Sequence, residues 1–363
     1  MVSLSTPYLS ARTLQALSGL LGMVFTSLGY IEMTTGQISS ASAILAMIAN
    51  YSAVLCGVYY IFGLHVLKLS SSHPKLAFQR AVDGVLMAAL TLAGVLHATS
   101  DSATTCEATN EWFSGIHKFN MFRCAHISAG IAFTFVAAAA TLVTLTLSIK
   151  CSARLAMEDG VAAPVEYAVA ATPKTAAGET AVAASTAVAR PALRRARLGG
   201  RTIQFAVSVI ALFCTAYGYR HYFMGQYLSP KAMFTILLTY TSAVYSLWHL
   251  VAVEKLRLSR RPQLKVERMI DALLVVALVI AGITFASSPH IADCDATNAK
   301  FMKNHGAELF RCDSMNSGVV FTFLSVAAFA MTFGVSFMYG AVEEHAADSA
   351  RDALPTVVCD VQA

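Results

Sequence analysis

CEATNEWFSGIHKFNMFRC, residues 106–124, recurs 188 residues later as CDATNAKFMKNHGAELFRC, residues 294–312, without a gap. Nine of the nineteen positions are identical, among them both cysteines, an Ala-Thr-Asn triplet and the Phe-Arg before the second cysteine. Self-similarity at a fixed offset indicates a repeated structural unit. This segment therefore predicts that the chain is built from two copies of one unit.

The similarity continues outward from the cysteine segment in both directions. Towards the N-terminus of each unit the offset is 189 residues: Arg12-Thr13-x-Gln15 matches Arg201-Thr202-x-Gln204, Thr26 matches Thr215, Gly29-Tyr30 matches Gly218-Tyr219, and Gly36-Gln37 matches Gly225-Gln226. Nearer the cysteine segment and beyond it the offset is 188: Arg80 and Asp83 match Arg268 and Asp271, Gly130 matches Gly318, and Phe133-Thr134-Phe135 matches Phe321-Thr322-Phe323. Matches spread along both halves place the two units at residues 1–150 and 201–341.

The composition indicates a membrane protein. Hydrophobic residues make up 56% of the chain, charged residues 13%, and the mean hydropathy is +0.59, whereas soluble domains carry about 25% charged residues. A membrane-spanning helix needs about 20 predominantly apolar residues. The predicted spans are 12–32, 42–67, 80–99, 125–148, 202–222, 232–253, 267–287 and 315–340. We therefore predict an all-α membrane protein of eight transmembrane helices, arranged as two four-helix bundles.

Charge in the connections predicts the orientation of the bundles. Three connections are rich in basic residues: Lys68, Lys75 and Arg80; Lys255, Arg257, Arg260, Arg261, Lys265 and Arg268; and Arg190, Arg194, Arg195, Arg197 and Arg201. Cytoplasmic loops carry an excess of Lys and Arg. These connections and both termini are thus expected in the cytoplasm, and an even number of spans per unit makes the two bundles parallel. Loops 33–41, 100–124, 223–231 and 288–314 face outward.

Two further segments are expected to be cytoplasmic. Residues 151–200 are rich in Ala, with Thr, Pro and Gly, and show little helical periodicity, which predicts a mostly disordered linker. The polar tail 342–363 is expected to be mobile.

The outward loops predict two disulfides. Disulfides persist outside the cytoplasm, and pairing within each unit, Cys106 with Cys124 and Cys294 with Cys312, preserves the duplicated spacing. Pairing between the units remains open. A zinc site would add His117 and His305, but one cysteine pair and one histidine per loop fall short of the usual four ligands, so no metal is expected.

Two kinds of lipid interaction are open from sequence. Cys151 follows the fourth span directly, and juxtamembrane cysteines are candidates for S-palmitoylation; an unmodified thiol is the equal alternative. Clustered basic residues beside a membrane attract anionic headgroups, which makes Arg257, Arg260, Arg261 and Lys265 candidate contacts. Their alternative role is to set the topology alone.

Ionisable residues inside membrane helices mark transport or proton paths. Asp83 and Asp271 are the duplicated candidates, and each follows an arginine at the i+3 position that permits a pair on the helix surface. We predict helix-start ion pairs, Arg80 with Asp83 and Arg268 with Asp271, that fix the depth of the third span. A coupling site is the alternative. His97 and His249 do not recur between the units, so no haem or other cofactor is expected.

Each unit resembles a MARVEL domain, the four-helix module of synaptophysin-like, occludin-like and fungal plasma-membrane proteins. The resemblance rests on the Arg-x-x-Gln start of the first span (Arg12 and Gln15, Arg201 and Gln204), the paired cysteines of the second outer loop, and the Phe-Arg-Cys entry to the fourth span. It implies a non-catalytic role in organising membrane microdomains, vesicle membranes or cell–cell contacts. Most members carry one unit, so the tandem arrangement is a departure.

The expected function is therefore a non-enzymatic membrane organiser, at the plasma membrane in preference to endomembranes. Its partners would be lipids, further copies of itself and cytoplasmic or cortical proteins, but not nucleic acid. Small residues four apart, Ser18 and Gly22, fit close helix packing, either between copies or within the chain. The alternative is a transporter or channel, since parallel repeats occur in transporters.

Overall fold

The structure is a computed structural model that describes residues 5–33, 36–61, 76–158, 180–222, 225–255 and 264–352, and these are almost entirely helical. The first unit comprises α1 (Ser5–Gly29), β1 (Glu32–Met33), β2 (Gly36–Ser39), α2 (Ala41–Val58), α3 (Leu76–Ala98), α4 (Asp101–Thr104), α5 (Cys106–His117) and α6 (Cys124–Glu158). The second unit comprises α7 (Thr180–Tyr217), β3 (His221–Tyr222), β4 (Gly225–Leu228), α8 (Pro230–Trp248), a π-helix (His249–Lys255), α9 (Leu264–Ala286), α10 (Pro289–Ala292), α11 (Cys294–His305) and α12 (Cys312–Asp352).

Seven helices of the described ranges are long and apolar enough to cross a membrane: α2, α3, α6, α7, α8, α9 and α12. Large apolar side chains such as Val85, Phe213 and Leu273 are exposed along these helices, as expected for a multi-pass membrane protein whose helix surfaces meet lipid. The eighth predicted span corresponds to α1. With 25 residues α1 is long enough, but it does not reach the same apolar character.

The first helix of each unit packs tightly against the last. A Cβ atom added at Gly130 would lie 2.8 Å from the backbone nitrogen of Thr26, and one added at Gly318 would lie 3.1 Å from that of Thr215. Small residues allow such close approach, which strengthens van der Waals contact between membrane helices. The recurring Thr and Gly positions therefore belong to a single contact, between α1 and α6 and again between α7 and α12.

Gly22 also packs within the chain. A Cβ atom added there would lie 2.9 Å from the side chain of Asn50 on α2. Asn50 is fully buried and donates a hydrogen bond of 2.8 Å to Thr134 on α6. Of the two readings of the Ser18–Gly22 spacing, packing inside the unit is the one observed for Gly22.

The two units meet along one seam. The short loops predicted between the first and second spans form a sheet in the order β1-β2-β4-β3, with β2 antiparallel to β4. Below it, the hydroxyl of Tyr51 lies 2.8 Å from that of Thr241, and the hydroxyl of Ser52 lies 2.7 Å from that of Tyr240. The rings of Tyr59 and Trp248 meet at the far end of the helices.

These contacts have the symmetry of a homodimer. In the repeat, Tyr51 is equivalent to Tyr240 and Ser52 to Thr241. The Tyr51–Thr241 contact is therefore the symmetry equivalent of the Tyr240–Ser52 contact, as expected across an isologous two-fold interface. Since equivalent positions meet at the start, middle and end of α2 and α8, the two helices run side by side in the same direction. The sheet was not predicted, because strands of two and four residues are too short to show a period.

The linker prediction needs correction. Described residues 151–158 continue α6, and residues 180–200 belong to α7. Ala has the highest helix propensity, so the Ala-rich composition indicates helix where low complexity had suggested disorder. Likewise α12 continues through the predicted tail to Asp352. Residues 159–179 and 353–363 lie outside the described part of the chain.

Candidate functional site: the buried arginine clusters

The first unit encloses an ion pair between α1 and α3. Arg12 donates from Nη1 to Oδ1 of Asp83 over 2.8 Å and from Nη2 to Oδ2 over 2.6 Å. Both side chains are fully buried. A bidentate, charge-assisted pair is among the stronger hydrogen-bonded contacts in proteins, and in a dry interior a buried charge needs such a partner. This pair therefore ties the first helix of the unit to the third.

Aromatic and amide groups complete the surroundings of Arg12. The hydroxyl of Tyr8 accepts hydrogen bonds from Nε at 2.8 Å and Nη2 at 2.6 Å, and Gln15 accepts from Nη1 at 2.9 Å. The guanidinium carbon lies 4.1 Å from the ring centroid of Tyr60, within the range of a cation–π contact. Gln79 on α3 donates to the same Tyr8 hydroxyl.

The recurring Arg-x-x-Gln pattern thus has a local explanation. An arginine and a glutamine three residues apart share one face of a helix. That face points into the unit, where Arg12 and Gln15 are both fully buried.

The second unit repeats the pair with added charges. Arg201 donates to both carboxylate oxygens of Asp271 at 2.8 Å, to Gln204 at 2.9 Å and to Glu267 at 2.7 Å. Arg197, one helical turn earlier on α7, donates to the other oxygen of Glu267. Two arginines and two carboxylates are therefore held together, all of them buried.

The two clusters differ at two positions of the repeat. Arg197 and Glu267 stand where the first unit has Tyr8 and Gln79. In both units the two residues contact each other: the Gln79 amide donates to the Tyr8 hydroxyl, and the Arg197 guanidinium donates to the Glu267 carboxylate. A neutral pair in one unit thus corresponds to an ion pair in the other, and the formal charge of each cluster sums to zero.

The end of the second helix covers each cluster. Tyr60 and His249 are equivalent, and both lie in π-helical segments. Such wide turns recur at functional sites. Nε2 of His249 lies 4.0 Å from Oε1 of Glu267, and His249 is 2% exposed. The wide turn therefore brings a residue beyond the regular part of α2 or α8 onto the arginines.

The predicted i+3 ion pairs are wrong. Asp83 pairs with Arg12 and not with Arg80, whose Nη2 donates to the carbonyl of Ser148 on α6 at 2.8 Å. In the second unit Asp271 pairs with Arg201, while Arg268 donates to the carbonyl of Ser336 at 2.7 Å and lies over the ring of Phe337. A pair between two helices is favoured over a pair within one helix, because both carboxylate oxygens then accept hydrogen bonds from the same guanidinium group.

At the opposite end of the units, Cys106 bonds to Cys124 and Cys294 to Cys312, as predicted from the duplicated spacing. We call this the disulfide end, and the end with the buried arginines the arginine end. The Cα atoms are 5.8 Å apart in both disulfides. Each bond joins the start of α5 or α11 to the start of the following long helix.

The recurring Ala-Thr-Asn triplet is explained by its asparagine. Asn110 accepts hydrogen bonds from the backbone nitrogens of Met121 and Phe122 at 3.0 and 2.9 Å and donates to the carbonyl of Phe122 at 2.8 Å. Asn298 does the same with Leu309 and Phe310. One amide thus closes each disulfide loop on itself. Sequence identity marked these asparagines without revealing their partners.

A tyrosine lies below each disulfide loop. Tyr30 pairs through its backbone with Phe122, and its hydroxyl lies 3.0 Å from that of Ser102 and 3.2 Å from Nε2 of His97. In the second unit Tyr219 pairs with Phe310. There Phe285 replaces His97, and His290 replaces Ser102. Burial, with a further contribution from Lys231, lowers the pKa of His290 below its ordinary value.

The remaining predicted residues are placed as follows. Lys265 is exposed at the start of α9, whereas Arg257, Arg260 and Arg261 lie outside the described residues. Cys151 lies in α6, and its side chain is outside the described part. His117 packs against the rings of Phe113 and Phe119.

Comparison with known proteins returns no match: no protein-family model, curated protein or solved structure is similar to this chain.

Proposed function

We propose that this protein is a non-enzymatic organiser of membrane domains, built from two parallel MARVEL-like four-helix units with eight spans. Under this proposal α1 is the eighth span, since α7, its equivalent in the second unit, is long and apolar enough to cross a membrane. The basic connections favour a cytoplasmic position of the arginine end and both termini. The disulfide end then faces outward, where disulfides persist.

The observation that carries the proposal is that the buried charges are paired with one another. Both oxygens of Asp83 and both oxygens of Asp271 accept hydrogen bonds from an arginine of the first helix in their unit. Binding of a cation to these carboxylates would compete with the arginine. The buried charges form balanced ion pairs near one end of the helices. This favours a structural role over a transport path, because transport needs exchangeable polar groups near the midplane.

The outer surface supports an action through lipid and lateral contacts. Exposed apolar side chains line the long helices of both units, and such surfaces in a bilayer contact either lipid tails or other helices. We propose that copies of the chain associate laterally through these surfaces at the plasma membrane. Cytoplasmic or cortical partners would then bind at the arginine end.

The test is reconstitution of the full chain in liposomes and giant vesicles. We expect the flux of potassium, sodium, chloride and protons to equal that of protein-free liposomes. In giant vesicles with coexisting lipid phases, the labelled protein should concentrate in one phase and form clusters whose brightness increases with protein density.

Two results would overturn the proposal. A selective flux that disappears in Asp271→Asn but persists in the matched exposed variant Asp295→Asn would favour the transporter alternative. Uniform distribution of single copies at all protein densities would contradict membrane organisation.

A further inference from the structure

Helix α5 of the first unit has an exposed apolar stripe. Trp112, Ile116 and Phe119 are 51%, 57% and 46% exposed. Trp112 and Ile116 are four residues apart on α5, which places them on one side of the helix, and Phe119 lies just beyond the end of the helix. The buried side of the same helix carries Cys106 and Phe113. Large apolar groups exposed together mark a contact surface more often than chance does.

The second unit does not have this stripe. The equivalent positions on α11 and after it are Lys300, Asn304 and Ala307, and Lys300 and Asn304 are exposed. The disulfide and the closing asparagine are nevertheless the same in both units. The fold of the loop therefore does not require the apolar stripe, and its presence in one unit needs another reason.

Several contacts hold α5 against the ends of the long helices. The Cys106–Cys124 bond joins its first residue to the start of α6. Asn110, in the middle of α5, holds Phe122, which in turn pairs with Tyr30 directly after α1. Because the start and the middle of this helix are both fastened there, its length of about 18 Å runs across the helix ends and not away from them.

We infer that the Trp112 stripe lies in the bilayer interface on the outer side and anchors the first unit, but not the second, to phospholipid headgroups and upper acyl chains. Tryptophan is enriched at this depth, and an amphipathic helix with Trp, Phe and large aliphatic residues on one side is typical of interfacial binding. The last turns of α3, at the same end of the unit, also expose large apolar side chains, namely Leu92, Val95 and Leu96. The inference depends on the proposed outward orientation of the disulfide end.

The chain contains two tryptophans, so Trp248→Phe leaves Trp112 as the single fluorophore. The full-length variant is reconstituted in phosphatidylcholine vesicles whose acyl chains carry bromine either near the headgroup or near the chain end. We expect blue-shifted emission from Trp112, strong quenching by the shallow bromines, weaker quenching by the deep bromines and little quenching by aqueous acrylamide.

Two matched variants serve as controls, both in the Trp112→Phe, Trp248→Phe background. Lys300→Trp places the fluorophore at the equivalent position of the second unit and should be quenched by acrylamide. Phe213→Trp places it on the exposed apolar side of α7 and should be quenched by the deep bromines. If Phe213→Trp responds as expected while Trp112 is quenched by acrylamide alone, the inference fails and the membrane arrangement stands.

Protection of Trp112 from both acrylamide and bromine would also overturn the inference, because it would indicate a protein contact, either with a second copy or with a bound partner. If Phe213→Trp is not quenched by lipid bromine, the proposed membrane arrangement itself fails.

Discussion

The arginine ends of the two units hold equivalent ion pairs in different surroundings. In the first unit Arg12 and Asp83 are enclosed by neutral groups, whereas in the second unit Arg201 and Asp271 share their cluster with Arg197 and Glu267. The difference shows that this helix packing accepts either an uncharged or an ionic neighbour pair. The residues differ, but the formal charges of the buried pairs sum to zero in both units.

The largest expected effect separates the two aspartates. Asp83→Asn leaves Arg12 without a carboxylate in a buried site, and removing one partner of a buried pair costs about 3–5 kcal/mol. Asp271→Asn should cost less, since Arg201 keeps Glu267 at 2.7 Å. The measurement is unfolding in mixed detergent, followed by circular dichroism.

The matched control removes both members of the first pair. The double variant Arg12→Met, Asp83→Leu should recover most of the stability lost in Asp83→Asn, because no uncompensated charge remains. Equal losses in Asp83→Asn and Asp271→Asn would show that Glu267 contributes nothing to holding Arg201.

The disulfides should contribute equally in the two units. Each joins residues 18 positions apart, and a loop of this size contributes about 3 kcal/mol by restricting the unfolded chain. Replacing Cys106 and Cys124 by Ser, or Cys294 and Cys312 by Ser, should therefore lower the midpoint of unfolding by the same amount. A clearly larger loss in one unit would mean that its loop depends on contacts that the other lacks.

Exchange of the neighbour pair tests the requirement for charge balance. Gln79→Glu alone adds an unpaired negative charge at a half-buried position of the first unit and should destabilise it. Adding Tyr8→Arg recreates the pair of the second unit, and the coupling between the two substitutions should be favourable by about 0.5–3 kcal/mol. A double-mutant cycle of unfolding free energies measures this coupling; a value near zero would contradict direct pairing.

The smallest expected effects lie at the seam, where the two units are alike. Tyr51→Phe and Tyr240→Phe each remove one hydroxyl contact between the units, and hydrogen bonds between membrane helices average about 0.6 kcal/mol. The two losses should be similar and additive, as measured by the same unfolding assay. Markedly unequal losses would show that the reciprocal contacts are not energetically equivalent.

Sequence reasoning reached those parts of the site that short-range spacing encodes. The duplicated cysteines predicted their own pairing because the two members are close in the chain. Asp83 and Asp271 were identified from their recurrence, but the partner assigned to each was the nearest arginine. The observed partner lies 70 or 71 residues away, on a helix whose rotation about its own axis no local pattern reveals.

The fold was predicted to a similar extent. Seven of the predicted spans are recovered because a run of about 20 apolar residues is an unambiguous signal. The contacts that join the units were not predicted, since nothing in the local sequence distinguishes Tyr51 and Ser52 from other residues of a helix. Their role is evident only when the equivalent residues of the second unit lie opposite them. Composition is ambiguous in the linker, because an alanine-rich segment without helical periodicity suggests disorder, whereas alanine itself has the highest helix propensity.

The seam has a consequence for how the molecule could be assembled. Its paired strands and hydroxyl contacts join α2 and β2 to α8 and β4, and none of these four elements directly precedes or follows the peptide connection between α6 and α7 in the sequence. That connection acts as a tether: it raises the local concentration of each half around the other but supplies none of these contacts. If the gene were divided at this point, we expect the two polypeptides to associate through the seam to an extent that depends on their concentration.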